Sequence, residues 1–240
     1  MGAVSGYLGS FMVLKRMSLV GDALSHVALP GMAIAIILNL NPMLGAFVAL
    51  TLAVIGVWYL GEKSEVYPEA LVGVFFTASL AIGILVTPEP ELLEALFGNF
   101  ERINLLDAVV IAASSVLIFS LVSFIAKRLI LGIVSEDLAK ARGINMKKIN
   151  LIYLLLVGFV VALGVKFVGT LLMGALVVVP AVAAKNISKS IRNYQIWGSL
   201  LGVLSVVLGL LIANYFHFSS GPIIVLVSIF VFILSYIFKR

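Results

Sequence analysis

Gly21-Asp22-Ala23-Leu24-Ser25-His26-Val27-Ala28-Leu29-Pro30-Gly31 sets an aspartate and a histidine four residues apart at the head of an apolar run. In a helix, positions i and i+4 share a face. A carboxylate and an imidazole side by side form a donor pair for a divalent metal. The surrounding chain is mostly hydrocarbon, which places the pair inside a bilayer. Ionisable groups are costly there and mark substrate paths.

The composition carries the same reading outward. Of 240 residues, 62% are hydrophobic and 11% charged, whereas soluble domains run to about 45–50% apolar and about 25% charged. No polar stretch approaches the roughly 50 residues a soluble domain needs, so residues 1–240 read as a single transmembrane domain. The formal charge of +5 would suggest nucleic acid in a soluble protein. Here the basic residues sit in short loops, where they signal orientation instead. The absence of cysteine excludes disulfides and thiolate ligands. The first residues lack the basic start and small-residue cleavage site of a signal peptide.

A spanning helix needs about 20 apolar residues. Runs of that kind occupy roughly 20–38, 44–60, 70–86, 105–126, 151–165, 167–184, 193–213 and 221–238. The expected fold is an all-α polytopic bundle of about eight spans. A partial span precedes them, because the first 14 residues reach only about 21 Å as a helix. Pro30 and Pro180 are expected to break two of the spans, as proline does. Threading the spans alternately through the bilayer gives one side fourteen of the sixteen basic residues, Lys15 and Arg16 through Lys239 and Arg240, and leaves only Arg102 and Lys166 on the other. The positive-inside rule then puts the fourteen in the cytoplasm.

Two connections are long. Residues 87–104, with Glu89, Glu91, Glu94 and Glu101, fall on the extracytoplasmic side. They read either as a solvated connector or as a short amphipathic helix through Leu92, Leu93, Leu96 and Phe97. Residues 127–150 form a cytoplasmic loop. Within it Ser135 is placed to cap a helix, Glu136 and Asp137 suit its positive end, and Lys140 and Arg142 suit the other. Gly143 closes it. A two-turn helix with so few apolar residues (Leu138, Ala139, Ala141, then Ile144) is marginal alone. It docks either on its own membrane domain or on a cytoplasmic partner.

The run LGSFMVLKRMSLVGDALSHVALPGMA, residues 8–33, closely resembles the opening of the permeases of zinc and manganese ABC importers. Ser135 to Ile144 resembles that family's cytoplasmic coupling segment. Val168-Gly169-Thr170-Leu171-Leu172 with Val179-Pro180-Ala181, and Leu96-Phe97-Gly98-Asn99, resemble later elements in the same order. The chain departs from the family in having only a partial helix before Lys15 and Arg16. The resemblance implies a multi-pass prokaryotic cell-membrane subunit with the fold of the cobalamin and siderophore permeases. It implies a second permease subunit (a homodimer being expected), cytoplasmic ATPase subunits meeting the coupling segment, and an extracytoplasmic metal-binding protein.

The residues fit that implication. No G-x-x-x-x-G-K-[ST] phosphate loop is present. The chain is therefore expected not to be an enzyme, with ATP hydrolysis supplied by another polypeptide. No permanent cofactor and no nucleic-acid partner are expected; the metal, zinc or manganese and possibly iron, is cargo. The competing class is a stand-alone secondary metal transporter or channel. Asp22 and His26 are the candidate metal path, alternatively a hydrogen-bonded brace for the break at Pro30. If the helix enters near Arg16, His26 lies about 15 Å along it, near the midplane. Ser25 faces away from Asp22 and is the weakest candidate. His217, expected in an outer loop, is a lesser metal candidate. Ser135, Glu136, Asp137, Leu138, Ala139, Arg142 and Gly143 are the candidate ATPase-coupling residues.

Overall fold

The computed structural model describes residues 1–64, 66–86 and 105–238. Among these the secondary structure is helical: α1 (Gly2–Leu14), α2 (Leu19–Ile37), α3 (Pro42–Lys63), α4 (Pro68–Val86), α5 (Leu105–Val134), α6 (Glu136–Ala141), α7 (Met146–Val168), α8 (Thr170–Ile187), α9 (Ile191–Phe216) and α10 (Ser220–Ile237). Seven of them are long and apolar enough to cross a membrane; α1 and the apolar part of α8 are shorter. The amphipathic helix considered for 87–104, and the Leu96–Asn99 motif within it, lie outside the described residues.

Local chemistry accounts for the helix starts. The Asn41 side chain accepts a hydrogen bond from the Met43 amide (2.9 Å), with Pro42 in the first turn. Asn145 and Ser190 cap α7 and α9 in the same way. These caps satisfy amides that have no partner within their helix.

Several features differ from the sequence reading, among them the start of α7 at Met146, not 151. α8 begins at Thr170, not 167, because Gly169 adopts φ +84° and ends α7. That region of backbone space favours glycine. α5 runs on to Val134, past Lys127 and Arg128, because Leu129 to Val134 continue the apolar run. Neither Pro30 nor Pro180 breaks its helix: α2 and α8 continue through them. Both helices are packed among neighbours, which hold the chain helical where one ladder bond is missing.

α2 is the central element. It packs on α3, α4, α7 and α8, and 72% of its apolar window is buried inside the bundle. α1 lies antiparallel to α9: Gly2 opposes Gly202, and Gly6 opposes Gly198. A Cβ on Gly198 would fall 2.8 Å from the Gly6 carbonyl oxygen, so the backbones meet directly, as small residues allow in membrane helices. The Tyr153 hydroxyl donates to the Leu8 carbonyl (3.0 Å), tying α7 to α1. Around α2, the apolar core is built from Leu8, Phe11, Leu24, Leu50, Tyr153 and Leu176, all nearly fully buried.

Candidate functional site

Asp22 and His26 occupy successive turns of α2. The connection from α1 uses Lys15 to Ser18, so α2 rises from Leu19 and not from Arg16. His26 is therefore about 10 Å along the helix, shallower than the sequence reading gave. It is buried, with 8% of its surface exposed. Its ring meets Phe76 of α4 edge-on, with centroids 5.1 Å apart. Its Nδ1 has no hydrogen-bond partner, so the brace in which His26 bonds Asp22 through that nitrogen is not formed. Pro30, four residues on, has no amide hydrogen to donate to the His26 carbonyl.

Asp22 is partly buried against α8. Gly174 of α8 lies so close that a Cβ there would fall 2.5 Å from Asp22 Cα. Ser25, the weakest candidate from sequence, proves fully buried. Its hydroxyl lies 2.6 Å from the Asp22 carbonyl and 2.5 Å from the Thr170 carbonyl. Sequence reasoning missed Phe76 and Thr170 as neighbours of the pair. No group of three or more histidine, cysteine or acidic residues positioned to hold a metal occurs among the described residues. Asp22 and His26 thus offer two donors, which leaves a divalent ion's remaining positions to water or to another subunit and suits passage better than storage.

The basic ends of the helices gather together below this pair. Lys15 Nζ donates to Asn150 Oδ1 (2.5 Å), Lys147 pairs with Glu62 (2.7 Å), and the Trp58 indole donates to the Lys147 carbonyl (3.0 Å). A cavity of about 430 Å³ opens there, lined by Lys15, Arg16, Trp58, Glu62, Tyr67 and Glu69 among others. Glu62 is therefore paired with Lys147 at the mouth of this cavity.

Burial pushes the Lys15 ammonium down to about 8, against a smaller upward pull from Glu136. The unfolded chain, with an ordinary lysine near 10.5, holds its proton to higher pH. Below about pH 8 both states are charged and the full burial penalty stands. Between about 8 and 10.5 the folded state sheds the proton first, so this group adds stability as pH rises. Thermal unfolding in detergent should show Lys15→Gln losing part of the wild-type gain in melting temperature across that window. Equal slopes for the two proteins would contradict the assignment.

α6 matches the sequence reading in detail. Ser135 Oγ accepts from the Leu138 amide (3.2 Å). At the other end Gly143, at φ +71°, donates to the Lys140 carbonyl (2.9 Å), and Ile144 donates to that of Ala139 (3.0 Å). This pair of bonds is the Schellman closure. Lys140 and Glu136 pair at 3.1 Å, and that carboxylate raises the Lys140 ammonium. Ala139 is fully buried, whereas Glu136, Asp137, Leu138 and Arg142 are exposed. One small residue therefore seats the helix on α5 and α7, and the rest is displayed.

His217 is not brought to Asp22 and His26. It is exposed, in the left-handed conformation (φ +56°) that ends α9. α9 is about 39 Å long and antiparallel to α1. Its Ser190 end lies with Lys15, and its His217 end lies at the opposite pole of the bundle.

The profile of the ABC 3 transport family matches residues 1–239. The chain is 30% identical over 242 residues to the high-affinity zinc uptake system membrane protein ZnuB of Haemophilus influenzae, covering 99% of this chain and 92% of that protein. It is 33% identical over 239 residues to the manganese import system permease protein ScaB of Streptococcus gordonii, covering 98% and 86%. Among solved structures, PsaBC from Streptococcus pneumoniae in complex with Fab superposes with a TM-score of 0.85 at 31% identity, over 98% of this chain and 86% of that one. A metal-chelate type ABC transporter in an inward-facing conformation shares the fold, with a TM-score of 0.72 at 17% identity over 98% and 83%.

Proposed function

The chain belongs to the ABC 3 transport family, and we infer that it is the membrane-spanning permease subunit of an ATP-driven importer of divalent metal ions, zinc or manganese. The observation that carries this is the family match along residues 1–239 together with a carboxylate and an imidazole one turn apart in the most enclosed of the seven membrane-length helices. It is a multi-pass protein of a prokaryotic cell membrane.

The finer assignment rests on the site. Asp22 and His26 form the ion's stepping point. An aspartate inside a membrane costs at least about 2.5–3.5 kcal/mol, and a passing dication offsets that cost. The pole holding Lys15, Lys147 and Lys140 faces the cytoplasm, in keeping with the positive-inside rule. There α6 displays Glu136, Asp137, Leu138 and Arg142 to an ATPase subunit, with Ser135, Ala139 and Gly143 holding it in shape. A metal-binding protein delivers the ion at the opposite pole, and a second copy of the chain supplies the other wall of the path. ATP hydrolysis belongs to the separate ATPase. Its work reaches the ion as a shift between inward-open and outward-open states.

Co-purification of the chain with an ATPase, followed by uptake of manganese(II) or zinc(II) into vesicles, tests this reading. Uptake should require ATP and both partners. Uptake that persists with the chain alone and without ATP would establish a secondary transporter instead.

A further inference from the structure

The seam between α2 and α8 meets at the turn that carries the metal-path pair. The fully buried Ser25 hydroxyl lies between the carbonyls of Asp22 (2.6 Å) and Thr170 (2.5 Å). In an α-helix the carbonyl of residue i accepts the amide of residue i+4. These two carbonyls therefore belong to the rungs of His26 and Gly174. One hydroxyl links the turn holding Asp22 and His26 to the first turn of α8. That first turn follows directly on Gly169, whose φ of +84° sets where α8 starts. Thr170 itself is fully buried.

Gly174 makes the second contact. A Cβ at that position would lie 2.5 Å from Asp22 Cα, 2.6 Å from its Cβ and 2.6 Å from its Oδ1. The obstruction is backbone and a functional carboxylate, not the far end of a flexible side chain. Gly21, on the same stretch of α2, behaves differently. A Cβ there meets Met12 Cε at 3.3 Å and Val177 Cβ at 3.8 Å, contacts that small adjustments relieve. Of these two glycines, Gly174 is the one that brings α8 directly onto the α2 backbone, and it does so at Asp22.

We propose that Ser25 and Gly174 are positioning residues for the Asp22 carboxylate, with the Ser25 hydroxyl locking α8 to the metal-path turn and the bare α-carbon of Gly174 leaving the carboxylate its place. This rests on the reading of Asp22 and His26 as the metal path. The alternative is that Gly174 serves helix packing alone. In that case it should behave like Gly198, where a Cβ would fall 2.8 Å from the Gly6 carbonyl oxygen on a seam without Asp22 or His26.

The test uses the assembled permease–ATPase complex. Manganese(II) binding is followed by titration of the free-ion EPR signal, and thermal unfolding is measured alongside. Gly174→Ala should weaken manganese binding strongly, up to about 10²-fold, since a displacement near 1 Å can cost that much at a functional group. Ser25→Ala should weaken it about fivefold, in line with one net hydrogen bond. Gly198→Ala should leave manganese affinity unchanged even where it lowers the melting temperature. Asp22→Asn separates the two levels of the argument. If Asp22→Asn binds and transports manganese normally, the metal-path reading falls and the positioning role falls with it. If Asp22→Asn is defective while Gly174→Ala and Ser25→Ala bind as wild type, the positioning role alone is overturned. It is also overturned if Gly198→Ala weakens binding as much as Gly174→Ala. Where Gly174→Ala fails to assemble, the comparison of Ser25→Ala with Gly198→Ala decides.

Discussion

Asp22→Asn should reduce ATP-driven metal uptake by at least about 10²-fold while leaving the complex assembled. The magnitude follows from the size of the donor set. Outer-shell partners of a metal are worth about 10–100-fold in affinity, and a direct ligand is worth no less. Here one of two protein donors is removed, and the described residues offer no third acid, histidine or cysteine grouped with them. The assembly half of the expectation comes from the sign of the burial term. An aspartate in a membrane helix is an expense to the empty protein, so replacing it with a neutral amide of the same shape removes a cost. The melting temperature in detergent should therefore stay level or rise. His26→Gln should show a similar loss of uptake with a small fall in stability, because the ring that packs on Phe76 is replaced by a less rigid side chain. Uptake near the wild-type rate in Asp22→Asn would remove the pair from the path. Loss of uptake accompanied by loss of the assembled complex would place Asp22 among the structural residues.

The parts of this site that could be read from the sequence are those that local spacing decides. Asp22 and His26 are one turn apart, and the helical period alone puts them on one face. The α6 segment was legible to within one residue because its cap, its first-turn acids, its last-turn base and its closing glycine are all within nine positions. What spacing does not encode is which distant turn comes to rest on which. Ser25 does not face away from Asp22, since residues three apart also share a helix face and its hydroxyl reaches the Asp22 carbonyl; only the fold places Thr170, 145 residues away, against it. Phe76 reaches His26 through the α2–α4 contact, and no pattern around Phe76 separates it from the other aromatic residues of an apolar helix. The prolines misled for a related reason. A proline ends a helix where water or a turn offers a better conformation, but Pro30 is fully enclosed in a packed bundle, where the neighbours hold the helix through it. Charged residues misled in the opposite direction: Lys127 and Arg128 look like the end of a span, yet Arg128 lies over the Phe124 ring (5.5 Å) and α5 continues. A long basic side chain can lie along apolar surface without ending the helix that bears it.

Leu138→Asp should uncouple the permease from its ATPase without harming the bundle. Leu138 is 46% exposed on a six-residue helix whose only buried residue is Ala139. An apolar side chain displayed among Glu136, Asp137 and Arg142 has the makeup of an interface centre with a polar rim. Central apolar anchors are worth about 2 kcal/mol or more when truncated, or roughly 30-fold in affinity. A charge in that place adds an unpaired group to the buried patch. The helix should survive the change, because its shape depends on the Ser135 cap and the Gly143 closure, neither of which involves the Leu138 side chain. Lys140→Ala provides the contrast. It breaks the Lys140–Glu136 pair, but both side chains are 62% exposed, and ion pairs so open to water contribute little. The expected order of ATPase association, measured by co-purification and by metal-stimulated ATP hydrolysis, is wild type close to Lys140→Ala and both well above Leu138→Asp. Metal binding by the permease itself should be the same in all three, because α6 packs on α5 and α7, whereas Asp22 and His26 lie on α2. An intact ATPase complex in Leu138→Asp would move the docking surface off α6. A loss of metal binding in the same variant would mean that the coupling segment and the ion site are not separable parts of this chain.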